Sequence, residues 1–263
     1  MIEKPTPYEE VIAELLPKSP APGWRPVDPK ALGFEGYGLR VWFPAGYRGP
    51  MPKVSRVRHA QQIPIDDNDL FLGGEGIELI DVTFGGGPVL LMPGARLLGW
   101  DVDGACIVGA GSVLEIKTQS RGLLRTSVVG DGCVVGGPNV GRGTVIRESS
   151  LGDGTKYRPY IDMYDYDLSG VAIGARVDAS AGLWAARCWI GNDTKIGGAS
   201  IHARASVGPG CQIGHAVVVK TDASIGARVV LKDDVDIGGY AIVEDGVTVG
   251  TSARIGTGVF IDR

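Results

Sequence analysis

The C-terminal part of the sequence has an apolar period of six residues. Every sixth residue from position 201 to position 261 is aliphatic, and the set is Ile201, Val207, Ile213, Val219, Ile225, Leu231, Ile237, Val243, Val249, Ile255 and Ile261. A helix would place apolar residues three or four positions apart, and a lone strand would alternate without a break. The period therefore predicts short strands, each of which turns a corner and begins again.

A second set of residues follows the first at a constant offset of four positions. Its members are small or β-branched, as suits inward positions near tight corners: Ala205, Cys211, Val217, Ala223, Val229, Val235, Ala241, Val247, Ala253 and Val259. Glycine often comes directly after the aliphatic residue, at Gly208, Gly214, Gly226, Gly238, Gly250 and Gly256. A residue without Cβ fits where a side chain would crowd a neighbouring coil.

This pattern resembles that of the hexapeptide-repeat family, in which an aliphatic residue is followed by glycine or a polar residue, two variable residues, a small residue and one more. The resemblance implies an all-β fold, a left-handed parallel β-helix of triangular section with three hexads in each coil. The left-handed sense comes from the resemblance alone, because parallel crossovers are ordinarily right-handed.

The same offset recurs upstream with slips in register, so we predict that the β-helix spans residues 78–263, with loops near 115–127 and 156–170. Residues 1–77 are predicted to form a short helix and an irregular arm rich in proline, glycine and aromatic residues. Residues 8–16 would place Val11, Ile12, Leu15 and Leu16 on one helix face. The aromatic side chains of the arm need apolar cover, either from their own β-helix or from a neighbouring chain.

Charge and composition narrow the classes of partner. The chain has 42 glycines but is 44% hydrophobic, which argues against a disordered or collagen-like protein. Its formal charge of -4 favours neither nucleic acid nor an anionic membrane, since both attract basic surfaces. The sequence has no long apolar run and no signal-peptide pattern at its start, so we expect a cytoplasmic protein.

The four cysteines are expected to pack in the interior. Cys106, Cys133, Cys188 and Cys211 fall at the small inward position, four residues after Val102, Val129, Trp184 and Val207. They form no CxxC pair, so we predict neither a metal site nor a disulfide. One basic group is interpreted as a solvated edge of the arm, and its members are Lys53, Arg56, Arg58 and His59. The alternative hypothesis is that this group binds an anion.

Two histidines of the repeat, His202 and His215, are expected to point outward at or near a corner. The resemblance implies acyltransferase activity, with an outward histidine as general base in the groove between two subunits of a homotrimer. Imidazole suits this chemistry because its pKa lies near the working pH. Acyl-CoA would be the co-substrate, with Lys232 and Arg254 near its phosphates. A plain surface role for either histidine remains the simpler reading.

Two other hypotheses concern ligand binding. The stretch 156–170 is rich in tyrosine and aspartate, and Tyr164 and Asp165 are candidates for contacts with a small-molecule substrate. A hard cation or a partner protein could also use these side chains. The carbonic anhydrases of this fold need three metal-binding histidines, and their spacing is missing here.

Two functions follow as hypotheses. The first is an acyl-CoA-dependent O- or N-acyltransferase that modifies a sugar or another small metabolite. The second is a non-enzymatic structural trimer that belongs to a larger assembly, such as a shell or a viral particle. It would dock through its N-terminal arm and through the end of the β-helix, where the period runs into the last residues and would expose a layer of backbone groups.

Overall fold

The computed structural model describes residues 8–18, 22–35, 39–59, 69–116, 122–137, 145–147, 149–157, 167–179 and 182–262. Almost all regular structure is short parallel strands, stacked coil upon coil as a β-solenoid, with one short α-helix. The predicted parallel β-helix is thereby confirmed, and its left-handed sense remains a prediction. The chain divides into two compact units, an N-terminal unit of residues 8–147 and a C-terminal unit described here from residue 149 onwards.

The N-terminal unit contains helix α1 (Tyr8–Leu15), a 3-10 turn (Pro29–Leu32) and three sheets. Sheet A consists of β1 (Trp24–Val27), β3 (Arg40–Pro44), β6 (Asp69–Leu72), β9 (Val89–Leu91), β12 (Cys106–Val108) and β15 (Val128–Val129). Sheet B consists of β2 (Phe34–Glu35), β5 (Val57–His59), β8 (Thr83–Phe84), β11 (Trp100–Asp103), β14 (Gly122–Arg125) and β17 (Val145–Arg147). Sheet C consists of β4 (Lys53–Ser55), β7 (Glu78–Ile80), β10 (Arg96–Leu98), β13 (Val113–Ile116) and β16 (Val134–Gly137).

The C-terminal unit also has three sheets, all parallel. Sheet D consists of β18 (Ser150–Leu151), β21 (Ala172–Ile173), β24 (Trp189–Ile190), β27 (Ser206–Val207), β30 (Ser224–Ile225), β33 (Ile242–Val243) and β36 (Phe260–Ile261). Sheet E consists of β20 (Asp167–Ser169), β23 (Leu183–Ala186), β26 (Ala199–Ile201), β29 (Val217–Val219), β32 (Asp236–Ile237) and β35 (Arg254–Ile255). Sheet F consists of β19 (Lys156–Tyr157), β22 (Asp178–Ala179), β25 (Lys195–Ile196), β28 (Gln212–Ile213), β31 (Val230–Leu231) and β34 (Thr248–Val249).

The boundary that we predicted at residue 78 needs correction. Strands β2 to β6 lie within the predicted arm and pair in parallel with later strands of sheets A, B and C. The coils therefore begin well before residue 78. Proline and aromatic residues interrupt the six-residue period in this part of the sequence, although the backbone still forms ladder hydrogen bonds. The predicted loop ranges are also too wide, because β13, β14, β19 and β20 extend into them, while residues 117–121 and 158–166 lie outside the described residues.

The six-residue period corresponds to the interior of the C-terminal unit. Ile201 pairs with Val219, and Val219 pairs with Ile237, so successive coils repeat after 18 residues. The aliphatic side chains are buried from Ile201 to Val249, whereas those of Ile255 and Ile261 are half-buried. A column of inward aliphatic residues on each sheet removes a continuous strip of apolar surface from water, which is the main stabilising term in such a fold.

The corners contain a second six-residue period that sequence reasoning missed. Left-handed backbone conformations recur at Arg204, Gly210, Ala216, Asp222, Arg228, Asp234, Tyr240, Gly246, Ser252 and Gly258. The glycines that follow the aliphatic residues leave room for the neighbouring coil. The sequence predicted this role, and the structure confirms it for several of them. A Cβ on Gly208, Gly214, Gly226 or Gly238 would collide with the next coil, whereas a Cβ on Gly250 would meet open space.

Helix α1 and two tryptophans cover the outer face of sheet A within the N-terminal unit. Phe71, Leu90, Ile107 and Val128 form a buried cluster on that face, and the side chains packed against it are Tyr8, Val11, Ile12, Leu16, Trp24, Trp42 and Met92. The apolar face of α1 and these aromatic side chains of the arm are therefore covered by sheet A of their own chain. Among the described residues, no helix is long and apolar enough to span a membrane.

Candidate functional site

A groove of about 500 Å³ lies across the outer face of sheet F, in the C-terminal unit. Its walls come from five successive coils and from the corner that leads from sheet F to sheet E. The lining residues are Asp178, Lys195, Ile196, Gly197, Gln212, Ile213, Gly214, His215, Val230, Leu231, Lys232, Asp233 and Thr251. On its outer surface the groove combines Val230 with lysine, glutamine, histidine and carboxylate side chains, whereas Ile196, Ile213 and Leu231 are buried. Convergent polar groups of these types can bind a small molecule.

Two of the predicted site residues, His215 and Lys232, line this groove. His215 stands on the coil of β28, and Lys232 stands on the next coil, directly after β31. Coils in a parallel sheet are about 4.8 Å apart, so the two side chains emerge from neighbouring layers. The residues in register with Lys232 on the two adjacent coils, Gly214 and Gly250, have no side chain, which leaves room around its stem.

The backbone of His215 is fixed by the coil that contains Lys232. The His215 N–H donates to Oδ1 of Asp233 at 2.8 Å, and the His215 carbonyl accepts from the N–H of Asp234 at 2.9 Å. The side chain of His215 is exposed on the groove. The imidazole therefore projects from a residue whose backbone N–H and carbonyl are both hydrogen-bonded, which favours a preorganised proton acceptor.

Lys195 is a member of the groove that sequence reasoning missed. It lies on the outer face of sheet F, in register between Asp178 and Gln212. Its signal in the sequence is weak, since a lone lysine at an outward strand position is common on protein surfaces. Within the ranges that the structure describes, the ammonium groups of Lys195 and Lys232 form no ion pair. They stand in the coils on either side of the one that contains His215.

The second predicted histidine, His202, lies at a different corner, between sheets E and D. Its ring contacts Trp184 edge-to-face, with centroids 5.2 Å apart, and neither residue lines the groove. Burial lowers the pKa of His202, and the nearby Lys220 lowers it further. Lys220 pairs with Oδ2 of Asp236 at 2.8 Å, while the buried Oδ1 of Asp236 has no hydrogen-bond partner among the described residues.

The other predicted contacts do not join His215. Arg254 lies on sheet E in register with Asp236, and it does not line the groove. Tyr164 and Asp165 lie outside the described residues, so their assignment to substrate stays a prediction. The structure thus brings together one histidine and one cation from the predicted set, and it adds Lys195, Gln212 and Asp233.

All four cysteines are buried, as the packing interpretation predicted. Burial raises the pKa of Cys106 and of Cys188 to about 12, and that of Cys211 to about 11. Such thiols are poor nucleophiles near neutral pH, because the reactive form is the thiolate. One detail of the prediction is wrong: Trp184 is not an inward residue, since Leu183 and Ala185 are the buried side chains of β23.

The basic group of the N-terminal unit is partly neutralised. Glu78 accepts from Lys53 at 3.4 Å and from Arg96 at 2.8 Å on the outer face of sheet C. Arg96 beside Glu78 lowers the pKa of that carboxyl group. This pairing favours the interpretation of Lys53 as part of a solvated edge.

A scan against the models of known protein families gives no match for this chain, and a search of curated proteins likewise finds no similar sequence. The residues of the groove are therefore the basis for any functional assignment.

Proposed function

We propose that the chain is an acyltransferase of the hexapeptide-repeat type, with His215 as the general base. The observation that carries the proposal is that His215 and Lys232 line the same groove of about 500 Å³. The resemblance of the repeat to that family supports it. The acyl donor would be an acyl-CoA and the acceptor a hydroxyl or amine of a sugar or another small metabolite, with the groove facing a neighbouring subunit of a homotrimer.

The proposed step is a single acyl transfer. The imidazole of His215 takes the proton from the acceptor hydroxyl or amine as the oxygen or nitrogen attacks the thioester carbonyl carbon. The carbon–sulfur bond then breaks, and the leaving CoA thiolate receives the proton from the imidazolium. Lys232 is suited to bind the phosphates of the donor, since a lysine ammonium is a flexible point charge for anions. Lys195, on the other side of His215, is available to the acceptor.

Binding and turnover test the proposal separately. Acetyl-CoA and succinyl-CoA at millimolar concentration are expected to raise the melting temperature, because a ligand that binds only the folded state stabilises it by about 2.7 kcal/mol at a hundredfold excess over Kd. Lys232→Ala should reduce that shift. A melting temperature that neither donor changes would contradict the proposed donor class.

The role of the base is tested by release of free CoA thiol in the presence of a panel of sugars and amines. His215→Ala is expected to lower turnover by about 10²–10⁴-fold, as loss of a general base does. His202→Ala provides the discriminating control, because His202 lies at another corner beside Trp184. Full turnover in His215→Ala, or a loss confined to His202→Ala, would overturn the assignment.

One observation favours the second function, a structural role in an assembly. Tyr240, Ile242 and Phe260 are exposed large apolar side chains of the C-terminal unit, at 63%, 42% and 59%. Exposed apolar groups of this kind mark surfaces that bind other proteins. The double variant Tyr240→Ser, Ile242→Ser should then dissociate the assembly, as measured by light scattering after size exclusion, while an unchanged mass would contradict this role.

A further inference from the structure

The carboxylate of Asp233 has a repeated structural counterpart elsewhere in the chain. At three other corners, an aspartate or asparagine Oδ1 accepts from a backbone N–H of the preceding coil. The pairs are Asp131 with Ala110 at 2.6 Å, Asn192 with Ala175 at 2.9 Å and Asp245 with Ala227 at 2.7 Å. Each of these corners leads from sheet A to sheet C or from sheet D to sheet F. The Asp233 pair lies at the corner between sheets F and E, where the groove is.

We propose that Asp233 is a positioning residue, which holds the His215 peptide so that the imidazole stays directed across the groove. This inference rests on the proposed function in that His215 is taken as the working base. Asp233 holds the backbone of His215 and also lines the groove, so positioning of His215 has to be separated from direct contact with a ligand. Its 2.8 Å hydrogen bond joins a carboxylate to an N–H, which is stronger than a bond between neutral groups.

The surrounding backbone supports the role of Asp233. Ala216, directly after His215, has a left-handed φ of 54°, a conformation that a residue with a Cβ adopts only when its neighbours enforce it. Gly214, directly before His215, has no side chain, and a Cβ there would meet Oδ1 of Asp233. The carboxylate therefore occupies space that the glycine leaves open, and His215 lies between two residues whose conformations depend on the corner.

Asp245 supplies a matched control. Its Oδ1 accepts from the Ala227 N–H, and the Ala227 carbonyl accepts from the N–H of Gly246 at 2.8 Å, as the His215 carbonyl accepts from Asp234. A Cβ on Gly226 would meet Oδ1 of Asp245, just as one on Gly214 would meet Asp233. The two corners thus share these hydrogen bonds and their glycine. They differ in having histidine or alanine at the held position and in the exposed pair of Asp245 with Arg228 at 3.7 Å.

The first experiment measures turnover and stability of the full chain. Asp233→Ala is expected to lower kcat by about 10²-fold with an unchanged KM for the donor, because small misplacement of a catalytic group has effects of that size. Asp233→Asn should restore most of kcat, since Asn192 makes the same hydrogen bond through an amide oxygen. Asp245→Ala should shift the melting temperature at least as much as Asp233→Ala, because its pair with Arg228 is lost as well, while turnover stays within about twofold of wild type. Equal losses of kcat in both alanine variants would overturn the proposal.

A second experiment needs no turnover, so it separates this inference from the proposed function. Diethyl pyrocarbonate modifies accessible imidazoles, and mass spectrometry of peptides gives the rate for His215 with His202 as the internal reference. Asp233→Ala should change the His215 rate by at least about threefold, because the imidazole then samples other orientations. Asp245→Ala should leave that rate unchanged. A His215 rate that is the same in wild type and Asp233→Ala would overturn the positioning role, whether or not the protein transfers acyl groups.

Discussion

The outer face of sheet A in the N-terminal unit and the outer face of sheet F in the C-terminal unit are built from similar short parallel strands, but one is covered and the other is open. On sheet A the outward column reads Trp42, Phe71, Leu90, Ile107 and Val128, and helix α1 lies on it. On sheet F the outward column reads Asp178, Lys195, Gln212, Val230 and Thr248, and a groove crosses it.

Coil geometry by itself therefore does not decide whether an outer face is covered or stays open to water. The inward aliphatic residues stabilise both units, whereas the outward column determines whether a face needs cover. An apolar column must be buried against something, and this chain provides α1 and Trp24 for that purpose. A column of charged and amide groups stays in water and can bind a ligand. The two faces therefore respond differently to mutation.

The largest expected effect is on the covered face. Phe71→Ala should lower the free energy of unfolding by about 3–5 kcal/mol, because a fully buried ring is lost and a cavity remains. Gln212→Ala on the open face should change it by less than about 0.5 kcal/mol, since the side chain is exposed. Urea unfolding followed by tryptophan fluorescence measures both. Similar losses in the two variants would contradict the distinction between the faces.

The next effect compares two ion pairs. Asp69 at the edge of the covered face is 4% exposed, and it accepts from Arg40 at 2.8 and 2.9 Å and from the Trp42 indole at 2.7 Å. Asp69→Ala removes a buried carboxylate that accepts from a guanidinium and from an indole N–H, and should destabilise the protein by about 2–3 kcal/mol.

Asp193 provides the comparison from the C-terminal unit. Its pair with Arg176 is exposed on both sides, so water and salt screen the attraction. Asp193→Ala should therefore change stability far less than Asp69→Ala does, and still less at high salt. If Asp193→Ala destabilised the protein as much as Asp69→Ala does, burial would not be the deciding variable.

The smallest effect concerns pH and the His202 corner. Burial beside Trp184 lowers the pKa of His202 below its ordinary value of about 6.5, so the unfolded chain binds this proton more tightly than the folded chain does. The contribution to stability is present above the unfolded pKa and is lost as the pH falls through the folded pKa. His202→Gln should therefore flatten the decline of the melting temperature between about pH 7 and pH 5. A steeper decline in this variant would show that the sign of the shift is wrong.

The sequence predicted the inner half of the fold well and the candidate site only in part. Aliphatic residues six apart predicted the buried columns because inward positions are selected for size and hydrophobicity alone. The same period placed the start of the coils too late. The early strands carry Trp42 and Phe71 on an outer face, and that face is apolar because helix α1 covers it. It also predicted Trp184 as an inward residue, although the register of β23 turns Ala185 inward instead.

The sequence by itself determined that short strands turn corners every six residues, that the cysteines pack inside and that His202 and His215 stand near corners. The tertiary structure alone decided which side chains from different coils meet. Lys232 and His215 are separated along the chain but lie on neighbouring coils, whereas Arg254 is carried to another sheet. The reason is the stacking of coils, which brings residues 18 positions apart into contact through hydrogen bonds that no local pattern specifies.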